Sequence, residues 1–114
     1  MTIASIKSTN MDMTDAIRGY VEKRLASLDK IAASYGPAVE VRVEVGKTTR
    51  HHAKGPYMKA EFTMDIPGAV LRVEREHEDL YAAIDEAAEE LKRQLVDQKE
   101  KRDDRHMGAR PDKE

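Results

Sequence analysis

The sequence contains no cysteine, so it can form neither disulfide bonds nor thiolate metal sites. Long apolar runs are also missing: the opening MTIASIK lacks the hydrophobic stretch of a secretion signal, and no segment is long enough to cross a bilayer. No phosphate-binding glycine loop or nucleophile–base constellation accompanies the many carboxylates. We therefore expect a cytoplasmic binding protein that is not an enzyme and needs no cofactor or metal ion.

Positive charge is in deficit, because 20 lysines and arginines face 22 carboxylates and the net charge is −2. Composition alone therefore argues against a nucleic-acid-binding protein. The charges are nevertheless segregated: residues 61–90 hold ten acids and two bases, residues 47–59 hold four bases and no acid, and another basic cluster begins at Lys92. Attraction acts locally, over roughly 8–10 Å at physiological salt, so RNA binding by a basic patch remains possible.

Four segments alternate apolar and polar residues, which is the pattern of a β-strand with one buried face. They lie around residues 3–7, 39–45, 58–66 and 69–73. Pro67 and Gly68 predict a tight turn between the last two segments. The last three strands should therefore form an antiparallel meander.

Two further segments carry apolar residues at helical spacing. The first predicted helix begins at Thr14, a good N-cap, and ends at Gly36 and Pro37. The second runs from about Glu78 to Arg102, and its final turns should leave the core. The predicted core stripes comprise Ile17, Tyr20, Val21, Leu25, Leu28, Ile31 and Ala32 on the first helix, and Leu80, Ile84, Ala87, Ala88, Leu91 and Leu95 on the second.

The element order β-α-β-β-β-α predicts an α+β fold. A four-stranded sheet with two helices packed on one face buries every apolar surface at once, and in outline it resembles double-stranded-RNA-binding domains. Residues 1–102 would form this single domain. The polar segment 103–114 would be a disordered tail.

Four stretches resemble the ribosome hibernation-promoting factor family, which includes the ribosome-associated inhibitor A and sigma-54 modulation proteins. The first two are NMDMTDAIR at 10–18, continued by VEKRLASLDK to residue 30, and the loop GKTTRHHAKG at 46–55. The others are IPGAVLRVE at 66–74, and DLYAAID at 79–85 followed by LKRQL. The last stretch is the most specific, because it combines a helix start, a core stripe and a basic flank.

This resemblance implies a short, non-enzymatic hibernation factor that sits in the small ribosomal subunit, across the path of messenger RNA and transfer RNA. It would reversibly silence idle ribosomes in stationary phase or under stress. Its partners would be the small subunit and its ribosomal RNA (rRNA), with ribosome modulation factor as a further candidate, and the free protein should be a monomer. Longer members pair ribosomes through a C-terminal domain, which we expect a chain of this length to lack, so we do not expect it to pair ribosomes by itself. Whether it favours ribosome pairing or inactive single ribosomes stays open.

The resemblance also implies that basic residues of the two helices contact rRNA. Arg24 lies near the middle of the first apolar arc, so its stem either covers the core edge or aims a planar guanidinium at phosphate. Lys92 and Arg93 lie mid-helix, where matching of the helix dipole does not explain them. The other helical candidates are Arg18, Lys23, Lys30, Lys99, Lys101 and Arg102. Taken alone, Arg18, Lys23 and Lys30 are more typical of solvated surface charges, and matching of the helix dipole would explain the bases in the last turn of the second helix.

The loop between the second and third strands supplies the remaining candidates. Arg50, His51, His52 and Lys54 either contact rRNA or stay solvated. A metal site at the two histidines is disfavoured, because adjacent loop residues seldom converge on one ion and no partner ligands are present. Tyr81 could stack on a base, although packing at the core edge is favoured.

Two rival functions remain open. A free double-stranded-RNA-binding module would bind naked duplex RNA as tightly as it binds ribosomes. A protein-interaction module that modulates a transcription factor would bind through the acidic helix face or the exposed sheet, and its affinity would be indifferent to ribonuclease.

Overall fold

A computed structural model of the chain describes residues 1–48 and 58–108, with side chains described as far as residue 101. The strands are β1 (Thr2–Thr9), β2 (Glu40–Lys47), β3 (Met58–Ile66) and β4 (Ala69–His77). The helices are α1 (Asp15–Ala26), α2 (Asp29–Ala33) and α3 (Leu80–Gly108). The α+β class and the four predicted strands are confirmed, and a short third helix is added.

The four strands form one sheet in the order β1-β2-β3-β4. β1 pairs in parallel with β2, and this requires the helical crossover that α1 and α2 provide. β2, β3 and β4 pair antiparallel, which confirms the predicted meander. Gly68 adopts a φ of +85° between the paired residues Ile66 and Ala69, as the predicted turn requires.

One face of the sheet packs against the helices and forms the core. Val43, Phe62 and Val73 lie side by side across β2, β3 and β4, and none is more than 2% exposed. Burial of each such side chain contributes about 1.5–3 kcal/mol. The apolar stripes of the helices join the same cluster, although Tyr20 and Ile31 are only partly buried. The opposite face of the sheet is polar.

The segment predicted as one helix up to Gly36 is divided into α1 and α2, so that prediction was wrong. The division falls at Ser27, whose hydroxyl donates to the carbonyl oxygen of Arg24 at 2.6 Å. The backbone N–H groups of Ser27 and Leu28 also bond three residues back, which tightens the last turn of α1. The predicted N-cap is confirmed, because the Thr14 hydroxyl accepts from the backbone N–H of Ile17.

Helix α3 begins and ends later than predicted. Its first turn is capped by Asp79, whose side chain accepts from the backbone N–H of Tyr81 at 3.0 Å. It continues past the predicted end at Arg102 to Gly108, because residues 103–107 include neither glycine nor proline. The predicted domain boundary at residue 102 thus falls within α3, residues 109–114 lie outside the described residues, and the disordered tail stays a prediction. None of the described helices has the length and hydropathy needed to span a membrane.

Candidate nucleic-acid interface

Helices α1 and α2 lie alongside α3, and we call the line of contact between them the helix seam. Near its start, the Tyr20 hydroxyl donates to Oδ1 of Asp85 at 2.5 Å. Near its end, the Tyr35 hydroxyl donates to the carbonyl oxygen of Leu95, also at 2.5 Å. Residues 20–35 therefore run parallel to α3. We call the part of the seam near Tyr20 its N-terminal half and the part near Tyr35 its C-terminal half.

The N-terminal half of the seam holds Arg24 in ion pairs. Its Nε atom lies 3.1 Å from Oδ1 of Asp85, without the direction of a hydrogen bond, and its Nη2 atom donates to Oε2 of Glu89 at 3.1 Å. The Arg24 side chain is only 26% exposed. Its stem therefore covers the core edge, and its charge is neutralised by two carboxylates of the same chain.

Two tyrosines complete this half of the seam. The ring of Tyr20 meets that of Tyr81 edge to face, with centroids 4.9 Å apart. The hydrogen bond to Asp85, followed by burial, raises the pKa of the Tyr20 hydroxyl. Tyr81 thus contacts Tyr20, which packs against the core, while remaining 38% exposed, and its packing at the core edge stays a prediction.

Arg93 is also bound by carboxylates of its own helix. Its guanidinium donates to Oε1 of Glu90 at 3.0 Å and to Oδ2 of Asp97 at 2.7 Å. The hydrogen bonds from Arg93 and Gln94 are the main reason why the pKa of Glu90 falls to about 2, and Arg75 adds a smaller attraction. The fold therefore does not present a continuous basic ridge that includes Arg24 and Arg93.

The C-terminal half of the seam contains a groove with a volume of about 400 Å³, which we call the lysine groove. Lys30 of α2 and Lys92 and Lys99 of α3 line it. Within the ranges that the structure describes, none of these lysines pairs with a carboxylate. Three positive charges from two helices are thus left available for an anionic ligand. The groove is completed by Ser27, Ile31 and Ser34.

The other predicted site residues lie outside this groove. Arg18 and Lys23 are exposed on α1, and Lys101 is exposed on α3. The Arg102 side chain falls beyond the described side chains. The loop candidates Arg50, His51, His52 and Lys54 lie outside the described residues. Over the ranges the structure covers, no group of His, Asp and Glu side chains could hold a metal ion.

Sequence reasoning missed Ser27, Ile31 and Ser34 as groove residues. With Lys30 they occupy positions i, i+3, i+4 and i+7, the spacing of one helical face. That spacing could have grouped them. It could not have indicated that Lys92 and Lys99 lie opposite, because the packing of α2 against α3 is a tertiary property.

Comparison with known proteins places this chain in a family. Residues 4–103 match the family model described as "Sigma 54 modulation protein / S30EA ribosomal protein". The chain belongs to this family. The family resemblance inferred from the sequence is thereby confirmed.

Named relatives of this family chain are ribosome hibernation factors. A "Ribosome hibernation promoting factor" of Azotobacter vinelandii is 37% identical over 107 residues, which cover 94% of this chain and 92% of that protein. A "Ribosome hibernation promotion factor" of Deinococcus radiodurans is 33% identical over 95 residues, covering 83% of this chain but 48% of that protein. These names support a role in ribosome hibernation and translation regulation. Such factors are binding proteins, which agrees with the prediction that the chain is not an enzyme.

Two solved structures share the fold. The N-terminal domain of Thermus thermophilus Protein Y superimposes with a TM-score of 0.68 at 38% identity, covering 83% of this chain and 96% of that domain. A ribosomal subunit interface protein of Coxiella burnetii also gives a TM-score of 0.68, at 18% identity, covering 87% of this chain and 98% of that one. At that lower identity the likeness concerns the fold alone.

Proposed function

We propose that this S30EA-family chain is a cytoplasmic hibernation factor that binds small-subunit rRNA in the channel for messenger and transfer RNA. By occupying that channel it reversibly blocks translation in idle ribosomes. The observation that carries the proposal is the lysine groove, which is lined by three lysines that have no carboxylate partner among the described residues, on a protein of net charge −2. Ribosome modulation factor remains a candidate second partner.

The groove suits phosphate better than it suits base edges. Lysine ammonium groups are compact point charges that pair with phosphate without demanding a planar acceptor. Each phosphate contact releases counterions, so three contacts would give a salt slope of roughly −2 to −3 in log K against log salt concentration. Specificity would then come from the shape of the ribosomal site rather than from base reading.

The predicted rRNA-binding residues outside the lysine groove differ in how they could contribute to binding. Arg18, Lys23 and Lys101 are exposed on α1 and α3 and would add further positive charge to attract rRNA. At Arg24 and Arg93, phosphate must compete with the carboxylates that already bind each guanidinium. Arg50, His51, His52, Lys54 and Arg102 stay predictions from the sequence.

Co-sedimentation with purified small subunits tests the proposal. The variant Lys30→Gln/Lys92→Gln/Lys99→Gln should bind at least about tenfold more weakly at low salt, because three phosphate contacts are lost. A matched control is Lys7→Gln/Arg42→Gln/Arg72→Gln, which removes the same charge from the outer sheet face. The control should bind like the wild type. Equal binding by all three proteins would contradict the proposed site.

Two further binding measurements separate the rival functions. If naked duplex RNA competes as strongly as small subunits, the chain is a free double-stranded-RNA-binding module. If binding to a partner from cell extract survives ribonuclease, the chain is a protein-interaction module. The proposal predicts weak competition by duplex RNA and loss of binding after ribonuclease.

A further inference from the structure

The ion pairs of Arg24 border the lysine groove. Arg24 lies three positions before the groove residue Ser27, the C-cap of α1, and Glu89 lies three positions before the groove residue Lys92 on α3. Three residues are about one helical turn, or roughly 5 Å along the axis. An RNA backbone that enters the groove and continues along the seam would therefore meet Arg24 and its carboxylates next.

The carboxylates that hold Arg24 are themselves positioned. Asp85 accepts the Tyr20 hydroxyl in addition to facing Arg24, so its orientation is fixed from two sides. Glu89 is 69% exposed and holds the Nη2 end of the guanidinium. Exposed ion pairs of this kind contribute little to folding stability. Their larger effect is on what Arg24 can bind.

A phosphate that binds Arg24 would compete with both carboxylates for the guanidinium and would lie beside them. When phosphate replaces a carboxylate as the partner of Arg24, one attraction between opposite charges is lost and another is gained. The phosphate is also repelled by the two carboxylates, which remain nearby. Repulsive juxtapositions of this type suppress wrong partners more than they weaken a partner that makes many other contacts. Duplex RNA that rests only on the lysine groove would be disfavoured.

We propose that Asp85 and Glu89 are specificity-determining residues, which hold Arg24 away from phosphate and thereby weaken binding to duplex RNA outside the ribosome. This inference rests on the proposed function of the lysine groove. It assigns the two carboxylates a role in RNA selection rather than in folding.

The variant Asp85→Asn/Glu89→Gln tests this role, because it keeps side-chain size and leaves an oxygen that can accept the Tyr20 hydroxyl. Its affinity for a naked RNA duplex should rise at least about fivefold at low salt, and its salt slope should steepen by about one unit as Arg24 gains a phosphate. The ratio of small-subunit to duplex affinity should fall. Thermal unfolding followed by circular dichroism checks that both proteins fold alike.

The matched control is Glu61→Gln/Asp65→Asn. It removes the same two charges and releases Arg72 and Arg42, but on the outer sheet face. Duplex affinity of the control should change less than about twofold, since the same net charge lies far from the groove.

Adding Arg24→Gln to Asp85→Asn/Glu89→Gln should remove most of the gain in duplex affinity and return the salt slope to the wild-type value. The inference is overturned if duplex affinity is unchanged, if the control gains as much, or if the whole gain survives Arg24→Gln. These outcomes do not depend on small-subunit binding by the lysine variant, so the proposed function and this inference can fail separately.

Discussion

At the residue scale, Gly46 marks a close approach between two backbones. It pairs with Thr9 across β1 and β2, and a Cβ atom built on it would lie 2.1 Å from the carbonyl oxygen of Thr9. A backbone atom cannot rotate away as a flexible side chain can. Gly46→Ala should therefore lower the free energy of unfolding by about 1–3 kcal/mol, measured by urea denaturation.

Gly19 provides the control for this substitution. It lies within α1, and a Cβ there would meet nothing within 4 Å. Gly19→Ala should raise stability by about 0.5–1 kcal/mol through helix propensity alone. Wild-type stability of Gly46→Ala would contradict the described pairing of β1 with β2.

Glu90 gives a pH-dependent prediction. Its hydrogen bonds from Arg93 and Gln94 lower its pKa from 4.5 to about 2. Because the folded pKa lies below the unfolded one, the stabilisation is present above about pH 4.5 and is lost as the pH falls toward 2. Glu90→Gln should thus be less stable than the wild type at pH 7, with the gap closing at low pH. A gap that urea titrations find constant from pH 7 to 2 would exclude this ionic contribution.

The sequence indicated which basic residues are candidates for rRNA binding, but it did not indicate which of them form ion pairs within the chain. Arg24 was a strong candidate because it lies in the apolar arc of its helix. Its partners Asp85 and Glu89 are more than 60 residues away in the chain, and only the packing of α1 against α3 brings them together. Lys30 had less support from the sequence than Arg24, yet it lines the lysine groove, where the lysines have no carboxylate partner among the described residues.

At the element scale, docking of α2 on α3 positions Lys30 opposite Lys92 and Lys99. Tyr35 lies just after α2, and its buried hydroxyl donates to the carbonyl oxygen of Leu95 on α3, which links the two helices. Tyr35→Phe should lower the free energy of unfolding by about 0.5–1.5 kcal/mol, the usual contribution of one hydrogen bond. Chemical denaturation measures this, and an unchanged midpoint would argue against the described docking.

Strands and helices were predictable because their hydrophobic periods differ, two residues for a strand and 3.6 for a helix. The division at Ser27 was not predictable from that pattern, since the apolar spacing continues from Leu25 through Leu28 to Ile31. The cause is a local bond from the serine hydroxyl to the backbone, which competes with regular helix. The end of α3 was missed because the apolar stripe stops at Leu95, whereas residues 96–107 contain no glycine or proline that would stop the helix.

At the scale of the whole molecule, folding sorts a nearly neutral chain into surfaces of different charge. The outer sheet face pairs its arginines with carboxylates, as in Arg42 with Asp65. The N-terminal half of the seam pairs Arg24 with acids, whereas the lysine groove keeps its charge. Sequence predicted the overall fold because one arrangement buries every apolar face, but the groove depends on two helices meeting.

Salt dependence of small-subunit binding tests the role of the lysine groove most directly. Titrations of the wild type and of Lys30→Gln/Lys92→Gln/Lys99→Gln between low and physiological salt give the number of phosphates that each protein neutralises. We predict that the variant binds more weakly and that its slope is shallower by about two to three units, each lost phosphate contact removing roughly 0.7–0.9. Identical slopes for the two proteins would mean that these lysines do not contact rRNA.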